Sequence, residues 1–249
     1  MPYANNEGVR IHYEVDGAGA PLVLHHGTSG SWEDWKDLGY VDLLKRDHHL
    51  ILLDARGHGA SDKPHDPDAY DLSVRVADVT AVLDDLQIRQ AHYLGYSLGG
   101  WIGFGIAKYA PERFHSLILG GAHPYAENMQ AFRDLMPPEP AAFLALTERM
   151  YGRYMTPALR VRLLASDLKA LAASTQDRTS LADVLPTMVM PCLLFAGETD
   201  PRLPLVQESL KHIAKATFFS LTASDHVAAL IRSELVLPQV SRFLRRISD

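Results

Sequence analysis

Cysteine is almost absent from this chain: Cys192 is the only one in 249 residues. A single thiol excludes an intrachain disulfide and a thiolate metal cluster. It stands in the run Val189-Met190-Pro191-Cys192-Leu193-Leu194-Phe195, which reads as a buried strand. A structural thiol is therefore expected, not a reactive one. Long hydrophobic runs are missing too. No stretch reaches the roughly 20 apolar residues that a membrane span requires. The opening residues, Met1-Pro2-Tyr3-Ala4-Asn5-Asn6-Glu7, carry neither a charged lead nor an apolar signal region. A cytoplasmic location is expected, with no membrane partner. Basic charge is also short. Lys and Arg number 24 against 30 Asp and Glu, a formal net charge of -6. Nucleic acid selects a basic surface, so it is not an expected partner. Arg242, Arg245 and Arg246 have the spacing of the wet side of a final helix.

The remaining composition is ordinary for a globular domain, with 47% hydrophobic and 22% charged residues. This length suits one α/β domain with a core that needs no staple. Arg10 to Val15 alternates polar and apolar residues, as a half-buried strand does, and residues from Pro2 can pair with it as a hairpin. Pro21 to His25 and Leu50 to Asp54 are short apolar runs, the mark of strands covered on both faces. A helix is predicted from Leu72 to Leu86, a strand from Ala91 to Gly95, a helix from Trp101 to Tyr109 and a strand from His115 to Leu119. Cys192 to Ala196, Leu205 to Ile213, Thr217 to Leu221 and Leu235 to Ile247 continue as strand, helix, strand, helix. That alternation predicts an α/β fold with a doubly wound, mostly parallel sheet. Residues 123–183 break the rhythm. They hold helical patterns (Ala141 to Tyr154, Ala158 to Ala173), prolines at 137, 138, 140 and 157, and no convincing strand. They are expected to form a helical cap inserted into a core of residues 1–122 and 184–249.

The strongest chemical signal is Gly95-Tyr96-Ser97-Leu98-Gly99, a G-x-S-x-G between a predicted strand and a predicted helix. So sharp a turn needs glycine neighbours and pushes the serine hydroxyl outward. The helix that follows aims its amino end at the same place, which favours negative charge. Ser97 is the candidate nucleophile. A second signal is His25-His26-Gly27-Thr28-Ser29-Gly30, after an earlier strand. A serine attacking a carbonyl creates an oxyanion, which two backbone N–H groups must meet. Thr28 and Leu98 are the candidates, with His26 as a prop for the turn. A serine also needs a base and an orienting carboxylate, in the chain order serine, acid, histidine. Gly197-Glu198-Thr199-Asp200-Pro201 offers two acids after a strand. Asp200 is preferred because it lies further along the loop, and Glu198 is the alternative. His226 follows the last strand on a predicted loop and is the candidate base, whereas His212 falls on the wet face of a helix.

Together, His26-Gly27, Asp54-x-Arg56-Gly57-His58-Gly59-x-Ser61-Asp62, Gly95-x-Ser97-x-Gly99-Gly100, Gly197-x-x-Asp200 and His226 resemble the α/β-hydrolase superfamily over nearly the whole chain. Within it the chain is similar to the small, lid-bearing esterase and enol-lactonase branch. The resemblance implies that the Asp54–Asp62 segment is a structural loop. It also makes dehalogenase and epoxide-hydrolase activity unexpected, because those relatives carry aspartate where Ser97 stands. The expected reaction is hydrolysis of a small carboxylic ester through an acyl-enzyme, with no metal or organic cofactor. The expected partner is a small-molecule ester, and the protein a monomer or homodimer. Trp32, Phe132, Phe143 and Tyr151 are candidate substrate-binding residues, with Met136, Met150, Tyr154 and Met155 as further apolar side chains of the cap. Arg149, Arg153, Arg160 and Arg162 offer a carboxylate clamp, though solvated helix faces explain them better. The alternatives are carbon–carbon hydrolysis of ring-fission products, enol-lactone hydrolysis, perhydrolase side activity and a ligand receptor with slow turnover. The first commonly has tryptophan after the catalytic histidine, and Val227 stands there instead.

Overall fold

The computed structural model describes residues 1–135, 137 and 139–248. The apolar runs become strands of one eight-stranded sheet. They are β1 (Tyr3–Asn6), β2 (Val9–Asp16), β3 (Ala20–His25), β4 (His48–Leu53), β5 (Ala91–Tyr96), β6 (Phe114–Gly120), β7 (Cys192–Gly197) and β8 (Ala216–Leu221). The order across the sheet is β1-β2-β4-β3-β5-β6-β7-β8. β1 and β2 pair antiparallel, as do β2 and β4, and every later pair is parallel. Every residue of β5 and β7 is buried, which is why these strands read as unbroken apolar runs. The fold is the α/β-hydrolase fold.

The helices are α1 (Trp32–Asp37), α2 (Tyr40–Leu44), α3 (Leu72–Asp85), α4 (Leu98–Tyr109), α5 (Gln130–Leu135), α6 (Pro140–Tyr151), α7 (Pro157–Leu164), α8 (Leu168–Ser174), α9 (Leu203–Leu210), α10 (His226–Ile231) and α11 (Ser233–Ser248). Val76, Val79, Phe104, Ile106 and Val206 of α3, α4 and α9 fill the core on one face of the sheet. Trp35, Tyr40, Leu44, Val236 and Val240 fill the other. The chain leaves β3 toward β4 and leaves β5 toward β6, so the connections diverge between β3 and β5. Ligands of open α/β sheets bind at such a point, beyond the carboxyl ends of the strands. Among the described residues, no helix is long and apolar enough to cross a membrane.

Helices α5 to α8 lie between β6 and β7, with a small core of their own around Phe143, Leu159, Leu163 and Leu171. The single helix expected over Ala158 to Ala173 is two. Asp167 ends the continuity because its side chain accepts from the Ala170 N–H at 3.0 Å and caps α8. Helices α1, α2 and α10 have no counterpart in the sequence reading, being only five or six residues long. Met136 and Pro138 lie outside the described residues, as does the side chain of Arg153.

Candidate active site

Ser97 sits between β5 and α4 at φ 54°, ψ −105°. A non-glycine residue with positive φ is strained, at a typical cost of about 1–3 kcal/mol. Its neighbours explain how the strain is held. A side chain on Gly95 would lie 2.3 Å from the Gly99 carbonyl oxygen, and one on Gly99 would lie 2.2 Å from that of His25. Only glycine lets the helix start so close to the strands.

Asp200 follows β7 and is 2% exposed, and His226 is the first residue of α10. The His226 Nδ1 is 2.6 Å from Asp200 Oδ2, and its Nε2 is 3.0 Å from Ser97 Oγ. An ionised carboxylate only accepts, so Nδ1 carries the proton and Nε2 is free to accept from the Ser97 hydroxyl. Burial opposes ionisation of Asp200. The hydrogen bond and charge of His226, the Arg202 N–H and the Arg202 charge outweigh it, and its pKa is lowered. Glu198 lies elsewhere, exposed, with Oε1 3.1 Å from the Thr222 hydroxyl. His212 is exposed beside Glu208. His226 is not on a loop as expected. It is mounted on α10, which Asp225 caps by accepting from the Ala228 N–H at 2.8 Å. Tyr96 adds a second mount, its hydroxyl donating to the His226 carbonyl at 2.5 Å.

The turn after β3 stands over the serine, and a side chain built on Gly27 would come within 3.3 Å of Ser97 Cβ. Thr28 lies in this turn. Leu98 opens α4, so its N–H has no intrahelical acceptor. His26 ties the turn to the next strand's end. Its Nδ1–H donates to the Gly27 carbonyl at 2.7 Å and its Nε2 accepts from the Ala55 N–H at 3.1 Å. The Asp54–Asp62 loop is knit internally. Asp54 accepts from the N–H groups of Trp32 and Ala60, both at 2.9 Å, and lies 2.8 Å from His12 Nδ1. Cys192 is fully buried, and burial pushes its thiol up to about 12.

A cavity of about 250 Å³ opens on Ser97 and His226. Phe132, Phe143 and Tyr151 line it, together with Met129, Met150 and Val227. Trp32 does not. It lines a separate cavity of about 360 Å³ beside His12 and Asp54. Its backbone N–H donates to Asp54 Oδ1 at 2.9 Å at the start of α1, and its indole lies 6.5 Å from the His12 ring. Of the arginines weighed as a clamp, Arg162 pairs with Asp34 and Asp37, Arg160 with Glu148, and Arg149 is exposed. Two other arginines, Arg178 and Arg202, line the Ser97 cavity instead. Sequence reasoning missed both. Arg178 lies in the polar run Ser174-Thr175-Gln176-Asp177-Arg178-Thr179-Ser180, which looks like an exposed loop. Arg202 had one usable signal, its place two residues after Asp200.

The model of the alpha/beta hydrolase fold family matches residues 20–154. A 3-oxoadipate enol-lactonase from Acinetobacter baylyi is 31% identical, over 96% of this chain and 95% of its own length. The chain belongs to the α/β-hydrolase family, and serine hydrolase is its general class. A putative carbamate hydrolase from Azorhizobium caulinodans is 35% identical over 119 residues, which is 48% of this chain and 43% of that protein. That alignment spans less than half of the relative. Among solved structures, a hydrolase from Pseudomonas aeruginosa superposes with a TM-score of 0.85 at 27% identity, covering 98% of this chain and 97% of the other.

Proposed function

We propose that this protein hydrolyses small carboxylic esters through an acyl-enzyme, with Ser97, His226 and Asp200 as its catalytic triad. The observation that carries the reading is the unbroken chain from Ser97 Oγ to His226 Nε2 at 3.0 Å and from His226 Nδ1 to Asp200 at 2.6 Å. His226 takes the hydroxyl proton as Ser97 attacks the ester carbonyl. Asp200 holds the imidazole in the required tautomer and stabilises its charged form. The N–H groups of Thr28 and Leu98 receive the oxyanion, and loss of one such donor typically costs about 10²–10³ in turnover. His226 then gives its proton to the departing alcohol. Water, activated by the same imidazole, hydrolyses the acyl-enzyme. No step calls on a metal or cofactor. Residues 123–183 act as a cap, with Phe132, Phe143 and Tyr151 as the apolar wall that holds the acyl chain.

A cyclic ester is the second substrate form. The enol-lactonase likeness over nearly the full length of both chains favours it, and the chemistry is unchanged. Hydrolysis of 4-nitrophenyl esters of increasing chain length, followed with Ser97→Ala alongside, tests the proposal. The wild type should turn over short esters with a transient acyl-enzyme on Ser97, seen as an added acyl mass. Ser97→Ala should fold and be inactive. Ordinary rates in Ser97→Ala would remove the nucleophile and with it the mechanism.

A further inference from the structure

Arg178 and Arg202 reach into a cavity whose wall is otherwise largely apolar. They share one carboxylate. Glu127 Oε2 accepts from Arg178 Nη1 at 2.9 Å and its Oε1 accepts from Arg202 Nη2 at 2.7 Å. Glu127 and Arg178 are also joined by two backbone hydrogen bonds of 2.9 and 3.1 Å, an isolated bridge that fixes the pair. Arg178 is 8% exposed and lies 4.9 Å over the Trp101 ring. Trp101 is one helical turn beyond Ser97 on α4, and Arg202 follows Asp200, whose side chain accepts from its N–H at 2.9 Å. Both guanidiniums are thus tied to the elements that carry the triad.

Positive charge accumulates behind them. A pocket of about 20 Å³, room for roughly one water, adjoins the main cavity across Thr28, Met129 and Arg178 and is also lined by Arg75 and Trp101. Arg75 is 2% exposed. Its Nε and Nη2 bond the carbonyls of Tyr70 and Ser174, but its Nη1 has no acceptor among the described residues. Trp101 Nε1 and Arg202 Nε are buried and unpaired in the same sense. The nearby Asp78 is occupied by a two-bond pair with Arg56. Burial, then the charge of Arg178, pushes the pKa of Arg75 down to about 9; burial pushes that of Arg178 down to about 10, where Glu127 opposes the shift and the charge of Arg202 adds to it. Glu127 bonds Arg178 and Arg202, whereas Arg75 bonds only backbone carbonyls, and the charge of Asp78 acts on it without a bond between them among the described residues. Charge held out of water without a counter-ion is costly, and an arriving anion relieves that cost.

We infer that the Ser97 cavity selects esters or lactones that carry a free carboxylate, which Arg178 and Arg202 receive as the scissile carbonyl meets Ser97. The guanidinium fork matches a carboxylate with two parallel charge-assisted hydrogen bonds. The inference rests on the ester-hydrolase reading above.

The test compares mono-4-nitrophenyl esters of glutaric, adipic and suberic acids with neutral 4-nitrophenyl esters of matched length, all corrected for spontaneous hydrolysis. The expected ratio of kcat/KM, anionic over neutral, is about 10 or more for at least one pair. Arg178→Gln and Arg202→Gln should each lower that ratio roughly tenfold. A purely structural role would lower both substrates together and leave the ratio in place, which would overturn the inference. A ratio at or below one across the series, with neutral esters still cleaved through Ser97, overturns it and spares the ester reading. Absence of Ser97-dependent turnover on every ester sinks the ester reading instead. The anion site is then read separately, by the rise in Tm that glutarate gives the wild type and does not give Arg202→Gln. No rise overturns the inference. Should Arg178→Gln fail to fold, Arg202→Gln carries the comparison, since its side chain is 21% exposed.

Discussion

Two acids stand two residues apart after β7, and geometry separates their roles. Asp200 is buried against His226 and kept ionised by the hydrogen bonds it accepts. Glu198 is exposed and faces the hydroxyls of Ser220 and Thr222. Asp200→Asn should lower kcat on 4-nitrophenyl acetate by about 10³–10⁴, because the amide favours the wrong imidazole tautomer. Glu198→Gln should stay within about threefold. A crippled Glu198→Gln beside an active Asp200→Asn would reverse the assignment. The preference for Asp200 was readable from its place further along the loop. Its burial was not, since that arises only where the end of β7 meets His226 at the start of α10.

At the level of elements, the site depends on how short helices begin. The amino end of α4 is forced by the two glycines around Ser97, and the G-x-S-x-G pattern announced it. The amino end of α10 was misread as loop, although Asp225 three residues before Ala228 was a legible cap signal. That cap mounts the imidazole. Asp225→Ala should cost about 1 kcal/mol of stability and lower kcat more than it raises KM, because His226 loses its fixed direction. Urea unfolding and ester kinetics on the same preparation check both parts. A stability loss with unchanged kcat would show that Tyr96 and Asp200 orient the ring without the cap. Residues 158–173 carry the same lesson. A continuous apolar period did not reveal the break at Asp167, because a capping side chain interrupts a helix without disturbing its periodicity.

Buried histidines contribute to the acid limit of the whole molecule, beside carboxylates such as Asp54 and Asp200 whose pKa is lowered. Burial, then the charges of His115 and His48, pushes His92 down to about 4, and burial with His26 pushes His58 to about 3. His25 is lowered in the same direction by burial and the same kind of neighbours. An unfolded histidine takes its proton near pH 6.5. The stability these neutral rings contribute is therefore fully present above about pH 6.5 and is lost as pH falls toward about 4. Tm should drop as pH falls through that window. His92→Gln, which keeps a partner for Ser116, should lessen the drop by on the order of 1–3 kcal/mol. An acid slope identical to the wild type would remove His92 as its source.

The sequence by itself determined the mostly parallel sheet and the chain order of Ser97, Asp200 and His226 that the proposed triad requires. Strand and helix periods are local, and the glycines around Ser97 must be present wherever that turn is made. Only the tertiary structure decided which side chains meet in the cavity. Trp32 was expected there and lines the separate cavity beside His12 and Asp54 instead. Arg178 was not singled out in the sequence and is buried against Trp101, paired with a glutamate 51 residues earlier. Burial and charge pairing between distant segments leave no periodic trace along the chain, because they arise only when those segments are brought together.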